Sequence, residues 1–247
     1  MVANDALIEA FQAGLATHFL RIQDQSFPSE LHDRMCDMTL DAFAWPPEVK
    51  SAMSMANSKH FLGFTGRGDE LTNDHVDNRE VFDFVLESNQ AAQAYPGQRH
   101  TEYGLLTGCN QWPDPSIIGE DFRLTVEQYM CHMRKVYLKV MEQLEIALDL
   151  PIKALRKLDT PDALHRLKLI KYIPENEFAG TWKTKQGVGA HQDESGWLTF
   201  VQEIDEPGLQ VHLRSGKEWI EVPFGPNTWG VNFGYSAVRH IEMRSCH

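Results

Sequence analysis

The sequence predicts an α+β fold in which a double-stranded β-helix (jelly roll) core is backed by amino-terminal helices and one long helix. Helical periodicity and loops dominate residues 1–160, and strand periodicity dominates residues 165–247. No internal repeat and no low-complexity linker separates the two halves. Helices first and strands second, without a linker, favour one domain over residues 1–247.

The helical half is predicted from apolar residues at intervals of three and four. Helices are expected over 5–18 and from about 28 to 43, with a strand over 19–22 between them and a restarted helical turn at 48–50. The longest apolar stripe predicts one helix over about 116–148, followed by a short helix near 151–158. Residues 58–115 are rich in glycine, proline and asparagine and predict loops with a strand or two, one of them over 81–85.

The jelly-roll half is predicted from short apolar runs separated by turn residues. One or two strands are expected within 190–202, and Leu209, Val211 and Leu213 alternate with polar residues. Further strands are expected over 167–172, 219–222 and 229–233. Short strands at such spacing favour a double-sheet roll.

Composition limits the kinds of partner. The 247 residues are 42% hydrophobic and 23% charged, with a formal net charge of -12. That charge argues against nucleic acid or an anionic membrane as the main partner, so a small-molecule substrate is expected. The four cysteines (Cys36, Cys109, Cys131, Cys246) lie far apart and predict reduced thiols in a cytoplasmic protein. The sequence does not open with a cationic and apolar leader, which argues against secretion. It also has no long apolar run, which argues against a membrane span.

The pair His191-x-Asp193 carries the strongest chemical signal. On an extended strand, side chains two positions apart project to the same face, so the spacing predicts that both converge on one ion. An imidazole beside a carboxylate suits a divalent first-row metal, and two histidines with one carboxylate form the facial iron(II) arrangement. The alternative for this spacing alone is a surface strand with a solvated pair.

Eight segments of the sequence form a recognisable ordered set: 63–64, 77–82, 108–113, 187–193, 196–199, 208–211, 218–223 and 231–234. Together they resemble the isopenicillin N synthase-like branch of the iron(II)- and 2-oxoglutarate-dependent dioxygenases. The likeness covers most of the chain, and the segments occur in the family's order.

The resemblance implies that His191 and Asp193 bind iron together with a second histidine some fifty residues downstream. His247 lies 54 positions (247 minus 193) after Asp193, which agrees with the family spacing, and His240 is the fallback. It also implies that Fe(II), 2-oxoglutarate and O2 are the cofactors. No catalytic residue beyond the metal ligands is implied, and Tyr172, Lys171 and Asn232 are the candidates for contacts around the cofactor.

The sequence departs from the family pattern at its carboxyl end. In the family, an Arg-x-Ser after the distal histidine binds the far carboxylate of 2-oxoglutarate, because guanidinium grips a carboxylate with two hydrogen bonds. No such segment follows His247, so the chain is expected to be truncated there, or to bind 2-oxoglutarate differently.

The expected activity is oxidation of a small organic or amino-acid-derived substrate by hydroxylation, desaturation or cyclisation, with release of succinate and CO2. Two alternatives stay open. One is an oxidase like isopenicillin N synthase, which uses no 2-oxoglutarate. The other is a catalytically impaired, truncated scaffold, and a cupin-like zinc or manganese enzyme is a more distant possibility.

Overall fold

The computed structural model describes residues 5–87, 108–160, 163–174, 187–193, 196–212 and 218–239. The chain divides into two compact units, each built from separate stretches of sequence. The first unit comprises Met1–His32, Lys135–Lys157 and Gln192–His247, and the second comprises Asp33–Arg134 and Leu158–His191. The one-domain organisation therefore stays a prediction.

The described residues contain a helical stretch over 235–239 and five further α-helices, two of which start at clear local sequence signals. The five are α1 (Asp5–Thr17), α2 (Ser29–Ala44), α3 (Pro47–Ala52), α4 (Pro115–Ile118) and α5 (Asp121–Ala147). Proline is the first residue of α3 and of α4, where its missing N–H costs no hydrogen bond. Asp114 caps α4 by accepting the backbone N–H of Ser116.

The prediction of a single helix over 116–148 was wrong near its start, because two separate helices, α4 and α5, occupy this stretch. Gly119 ends α4 with a φ of +86°, a left-handed conformation that glycine adopts without strain. Helix α5 then begins at Asp121 and keeps the predicted apolar stripe. The short helix predicted near 151–158 is reduced to one 3₁₀ turn over Arg156–Leu158.

Ten strands lie in the described residues. They are β1 (Phe19–Gln23), β2 (Gly63–Thr65), β3 (Leu71–Thr72), β4 (His75–Val76), β5 (Arg79–Val85), β6 (Arg166–Tyr172), β7 (Leu198–Val201), β8 (Gln210–His212), β9 (Trp219–Glu221) and β10 (Thr228–Phe233). Most strands of the second half begin or end within two residues of the predicted positions. The stretch 58–115 holds more strands than expected, because β3 and β4 are too short to show alternation.

In the first unit, β10 is the middle strand of a three-stranded antiparallel sheet with β1 and β7. Its apolar residues Trp229, Val231 and Phe233 are almost fully buried. The ring of Trp229 meets Phe27 edge-on, at 5.3 Å between centroids. Strands β8 and β9 form a separate antiparallel pair.

In the second unit, β5 is the middle strand between β2 and β6, again antiparallel. Phe82 and Phe84 lie on one face of β5 and are completely buried. An aromatic cluster packs around them, with neighbouring ring centroids 4.7–6.4 Å apart. Its other members are Phe43, Trp45, Phe64, Trp112 and Phe122. This cluster is the core of the second unit.

One polar side chain fixes the chain that leads into β2. The amide of Gln111 donates to the backbone oxygens of Ser54 at 2.9 Å and Leu62 at 2.7 Å, and approaches that of Met53 at 3.2 Å. Gly63 passes beside this amide with a φ of +114°. A Cβ at Gly63 would lie 2.2 Å from the Met53 oxygen, so only glycine fits there.

The prediction that His191 and Asp193 lie on an extended strand was wrong. Residues 187–193 belong to no strand, and the only strand described within 190–202 is β7, which begins at Leu198. The alternation argument for the two side chains therefore does not apply, and their positions depend on local hydrogen bonds instead.

Candidate metal centre

The carboxylate of Asp193 is held by two neighbouring strands of the first unit. Thr199 on β7 donates its hydroxyl to Oδ2 at 2.6 Å, and Asn232 on β10 donates its amide to the same oxygen at 2.8 Å. Thr199 and Asn232 are register partners in the β7–β10 ladder, so their side chains project from the same face. The two donors fix the orientation of this carboxylate.

The backbone around Asp193 is fixed as well. The N–H of Tyr235 donates to the Asp193 carbonyl at 2.8 Å, and the N–H of Gly234 donates to the Trp197 carbonyl at 3.1 Å. Residues 235–239 are helical, so the turn after β10 supports the loop that carries Asp193. Side chain and main chain of Asp193 therefore both depend on the end of β10.

The ring of His191, in the second unit, is oriented by its own loop. Its Nδ1 lies 2.8 Å from the carbonyl oxygen of Gly189. Because a carbonyl can only accept, Nδ1 carries the proton and the lone pair of the neutral ring lies on Nε2. A metal-binding histidine commonly donates its other ring N–H to a carbonyl in this way.

Tyr172, at the end of β6, packs against the segment before His191. A Cβ at Gly187 would lie 2.7 Å from the Tyr172 ring, and the Gly187 carbonyl accepts the N–H of Asn78 at 3.1 Å. Tyr172 faces Arg79 across the β5–β6 ladder and shares a hydrogen bond with it. Partial burial raises the pKa of the Tyr172 phenol, although Arg79 acts in the opposite direction.

Lys171 is the neighbour of Tyr172 on the same strand, so its side chain leaves the opposite face of the sheet. Its register partner there is Glu80. Lys171 and Tyr172 are therefore on different faces of β6, whereas the sequence assigned both to the cofactor.

The face of the β5–β6 pair that carries Tyr172 also holds a buried charge cluster. Asp83 has no exposed surface and contacts Arg166 at 3.2 Å and Lys168 at 3.1 Å. Burial raises the pKa of Asp83 above its usual value, and the two cations limit that rise. Arg79 pairs with Glu70 at 2.9 Å and with Asp77 at 3.2 Å, so each of these charges has an opposite charge beside it.

The third predicted ligand, His247, and its fallback His240 lie outside the described residues. Within the residues that the structure does describe, no three His, Cys, Asp or Glu side chains come together to hold an ion. Among the described residues, Cys36, Cys109 and Cys131 form no disulfide bond. In the same described part, no helix has the length and apolarity needed to cross a membrane.

His191 and Asp193, taken separately, each present a donor atom of a kind that iron(II) accepts. His191 presents Nε2, and Asp193 presents a carboxylate whose orientation is set by two donors. One imidazole nitrogen and one carboxylate oxygen suit a non-haem iron(II) centre, and supporting hydrogen bonds of this kind are usual behind metal ligands. Each side chain is therefore suited to a non-haem iron(II) centre, the class of site that the sequence predicts.

Comparison with known proteins shows which dioxygenases the chain resembles. Residues 4–115 match the family model described as the amino-terminal part of non-haem dioxygenases in morphine synthesis. A 2-oxoglutarate-dependent dioxygenase of Dothideomycetidae sp. (strain 11243) is 32% identical over 209 residues, covering 85% of this chain and 54% of the relative. A 2-oxoglutarate-dependent dioxygenase of Penicillium crustosum is 29% identical over 231 residues, covering 92% of this chain and 67% of the relative. The chain thus spans about half of the length of the first relative and two thirds of the second.

A solved structure confirms the predicted fold. The putative 2OG-Fe(II) oxygenase family protein from Caulobacter crescentus superposes with a TM-score of 0.74 at 22% identity, covering 95% of this chain and 70% of that one. The predicted α+β fold with a jelly-roll core is correct. These similarities support membership of the 2-oxoglutarate- and Fe(II)-dependent dioxygenase family, whose members use Fe(II), 2-oxoglutarate and O2.

Two contributors to this centre were not singled out from the sequence. Thr199 was predicted only as part of a segment that matches the family. Its position between Leu198 and Phe200 in an apolar strand could have indicated a polar role for its side chain. The carbonyl of Gly189 leaves no side-chain signal at all, because a backbone oxygen is common to every residue.

Proposed function

We propose that this protein is a non-haem dioxygenase that uses Fe(II), 2-oxoglutarate and O2 to oxidise a small organic or amino-acid-derived molecule. One observation carries the proposal: Thr199 and Asn232, on two neighbouring strands, both donate to the carboxylate of Asp193. An aspartate in a solvated surface pair needs no such support, whereas a metal ligand needs a fixed orientation. Similarity to the family supports the same activity.

We assign the iron ligands to Nε2 of His191, the carboxylate of Asp193 and an imidazole of His247, with His240 as the alternative third ligand. Two histidines and one carboxylate form the facial set that leaves positions open for a co-substrate and oxygen. The carbonyl of Gly189 supports this assignment, since it keeps the ring proton of His191 on Nδ1.

Bound iron, with 2-oxoglutarate and O2, supplies the oxidising chemistry, and the chain binds and orients the reactants. The amide of Asn232 is occupied by Asp193, so we assign Asn232 to orienting the ligand. Tyr172 lies against the segment that leads to His191 and stays our candidate for contact with 2-oxoglutarate. Lys171 has weaker support, because it projects from the other face of β6.

The experiment is an anaerobic titration of the purified chain with Fe(II) and 2-oxoglutarate, followed by exposure to O2. We expect the charge-transfer absorption of an Fe(II)–2-oxoglutarate complex, and then succinate formation. A flat titration would contradict the proposal and favour the scaffold alternative. Iron binding and O2 consumption without succinate would instead favour the oxidase that uses no 2-oxoglutarate.

Single variants separate the ligands from other histidines. We expect His191→Ala, Asp193→Ala and His247→Ala each to abolish the absorption band. We expect His240→Ala to keep it. His212→Ala is the matched control, because His212 lies on β8 with its ring 5.3 Å from that of Trp219. Loss of the band in His240→Ala alone would reassign the third ligand. The cytoplasmic location indicated by the cysteine pattern stays a prediction.

A further inference from the structure

The loop that carries His191 is held by a distant side chain of the second unit. Asn73 donates its side-chain amide to the carbonyl oxygen of Ala190 at 3.0 Å. The two residues are 117 positions apart in the sequence, so the contact is tertiary. The Ala190 carbonyl belongs to the peptide group that leads directly into His191, and a hydrogen bond on it fixes the plane of that peptide.

Asn73 lies at the tip of the hairpin formed by β3 and β4. Thr72 pairs with His75, so Asn73 and Asp74 are the two turn residues, with φ values of +53° and +63°. Both φ values are positive, as in the type I′ turns that favour asparagine, aspartate and glycine. The turn itself therefore requires only residues that tolerate a left-handed backbone, and the amide of Asn73 is available for a separate role.

The base of this hairpin is fixed by a buried carboxylate. Asp77 is 1% exposed, accepts the hydroxyl of Thr72 at 2.8 Å and pairs with Arg79 at 3.2 Å. The N–H of Asp77 also donates to the carbonyl of Glu70 at 3.0 Å. The hairpin thus presents Asn73 from a fixed base.

We propose that Asn73 is a positioning residue for the iron site: it holds the Ala190 carbonyl so that the backbone below His191 is fixed before metal binds. The inference rests on the proposed role of His191. Two hydrogen bonds then have distinct tasks, because Gly189 orients the imidazole ring and Asn73 fixes the peptide that carries it. A preorganised ligand loses less conformational freedom on binding, so affinity for the metal increases.

The turn offers a matched pair of variants. Asn73→Gly keeps the left-handed turn, because glycine accepts a positive φ, and removes the amide donor. Asp74→Gly makes the same change one position later and leaves the amide of Asn73 in place. A difference between the two variants reports on the amide and not on the turn.

The test measures metal binding and backbone opening. Metal binding is measured as the anaerobic dissociation constant of Fe(II), and the absorption spectrum of the Co(II)-substituted chain reports the coordination geometry. We expect Asn73→Gly to bind about two- to tenfold more weakly, the range that one neutral hydrogen bond supports. Backbone opening is measured as amide hydrogen exchange in the metal-free chain. The peptide that contains Ala190 and His191 should exchange faster in Asn73→Gly only.

The outcomes separate this inference from the proposed function. Equal changes in Asn73→Gly and Asp74→Gly would overturn the role of the amide. Unchanged affinity, spectrum and exchange in Asn73→Gly, with normal Fe(II) binding by the parent chain, would overturn the inference and leave the proposed function standing. Failure of the parent chain to bind Fe(II) would overturn both.

Discussion

Thr199 and Asn232 face each other across the antiparallel pair of β7 and β10, and both donate to Oδ2 of Asp193. A cross-strand pair is a rigid way to hold a carboxylate, because the ladder fixes both donors relative to one another. The arrangement also explains why Asp193 needs no strand of its own. Its orientation is set by strands that lie later in the sequence.

Replacing Thr199 with valine tests this support. The change removes the hydroxyl and keeps the shape, so we expect Fe(II) affinity to fall by about 10- to 100-fold, as for other residues behind metal ligands. Isothermal titration under anaerobic conditions measures the effect. Thr228→Val is the control, because Thr228 lies on the neighbouring strand β10 and is more deeply buried, but its hydroxyl donates to the Pro226 carbonyl. Equal losses of affinity in both variants would argue against a specific role for Thr199.

Metal binding should stabilise the fold. A ligand that binds only the folded chain raises the free energy of unfolding by about 2.7 kcal/mol at a concentration 100 times its dissociation constant. We expect Fe(II), added without oxygen, to raise the unfolding temperature and EDTA to reverse the change. The rise should vanish in Asp193→Ala and persist in Asp205→Ala, which alters an exposed aspartate of the loop after β7. A rise that survives in Asp193→Ala would place the metal elsewhere.

Alanine substitutions at Gly63 and Gly119 can distinguish the cost of a steric clash from the cost of an unfavourable backbone conformation. Both have a positive φ, at +114° and +86°. A Cβ at Gly63 would lie 2.2 Å from the Met53 oxygen and 2.3 Å from Nε2 of Gln111, whereas one at Gly119 would meet nothing within 4 Å. We expect Gly119→Ala to cost about 1–2 kcal/mol, for the left-handed backbone alone. Gly63→Ala should cost about 3 kcal/mol or more in urea unfolding, since the backbone itself must shift. Similar losses in the two variants would contradict the steric account.

Asp159 should make the second unit sensitive to acid. Its buried carboxylate accepts two hydrogen bonds from Arg134, at 2.9 and 2.7 Å, and contacts Nε2 of His165 at 3.0 Å. Burial acts to raise the pKa of Asp159, but Arg134 and His165 outweigh it and hold the pKa below its usual value.

A lowered pKa means that folding favours the ionised carboxylate. The contribution of Asp159 is therefore present at neutral pH and is lost as the pH falls below about 4, through the folded-state pKa. Asp159→Asn should lower the free energy of unfolding at pH 7 by roughly 1–3 kcal/mol and flatten its dependence on pH below 4. Urea unfolding over pH 3–7 measures both. An unchanged slope in the variant would show that other carboxylates cause the acid sensitivity.

Much of the fold could be predicted from periodicity, because apolar stripes record which face of an element is buried. The stripe of α5 and the alternation in β10 are examples, and both elements begin or end close to the expected residues. The break at Gly119 was missed, since a single glycine leaves the apolar period on either side intact.

The candidate site was less predictable, because its geometry depends on contacts between residues far apart in sequence. The spacing of His191 and Asp193 was interpreted as alternation on a strand, and the structure has no strand there. Asn232 was predicted to contact the cofactor, whereas its amide donates to Asp193, and nothing local indicates that Thr199 donates to the same oxygen. Asn73 could not be found at all, because an asparagine in a turn is fully explained by the turn.

Strand β10 occupies the centre of its sheet, between β1 near the beginning of the chain and β7. During synthesis, both outer strands are made before their shared partner, which is complete only after Phe233 has been added. Pairing across so long a sequence distance is slow, since the loop must close before any contact compensates for it. Asn232, one of the two donors to Asp193, lies on this same late strand, so a nascent chain lacks the full support of that carboxylate until this region has been translated.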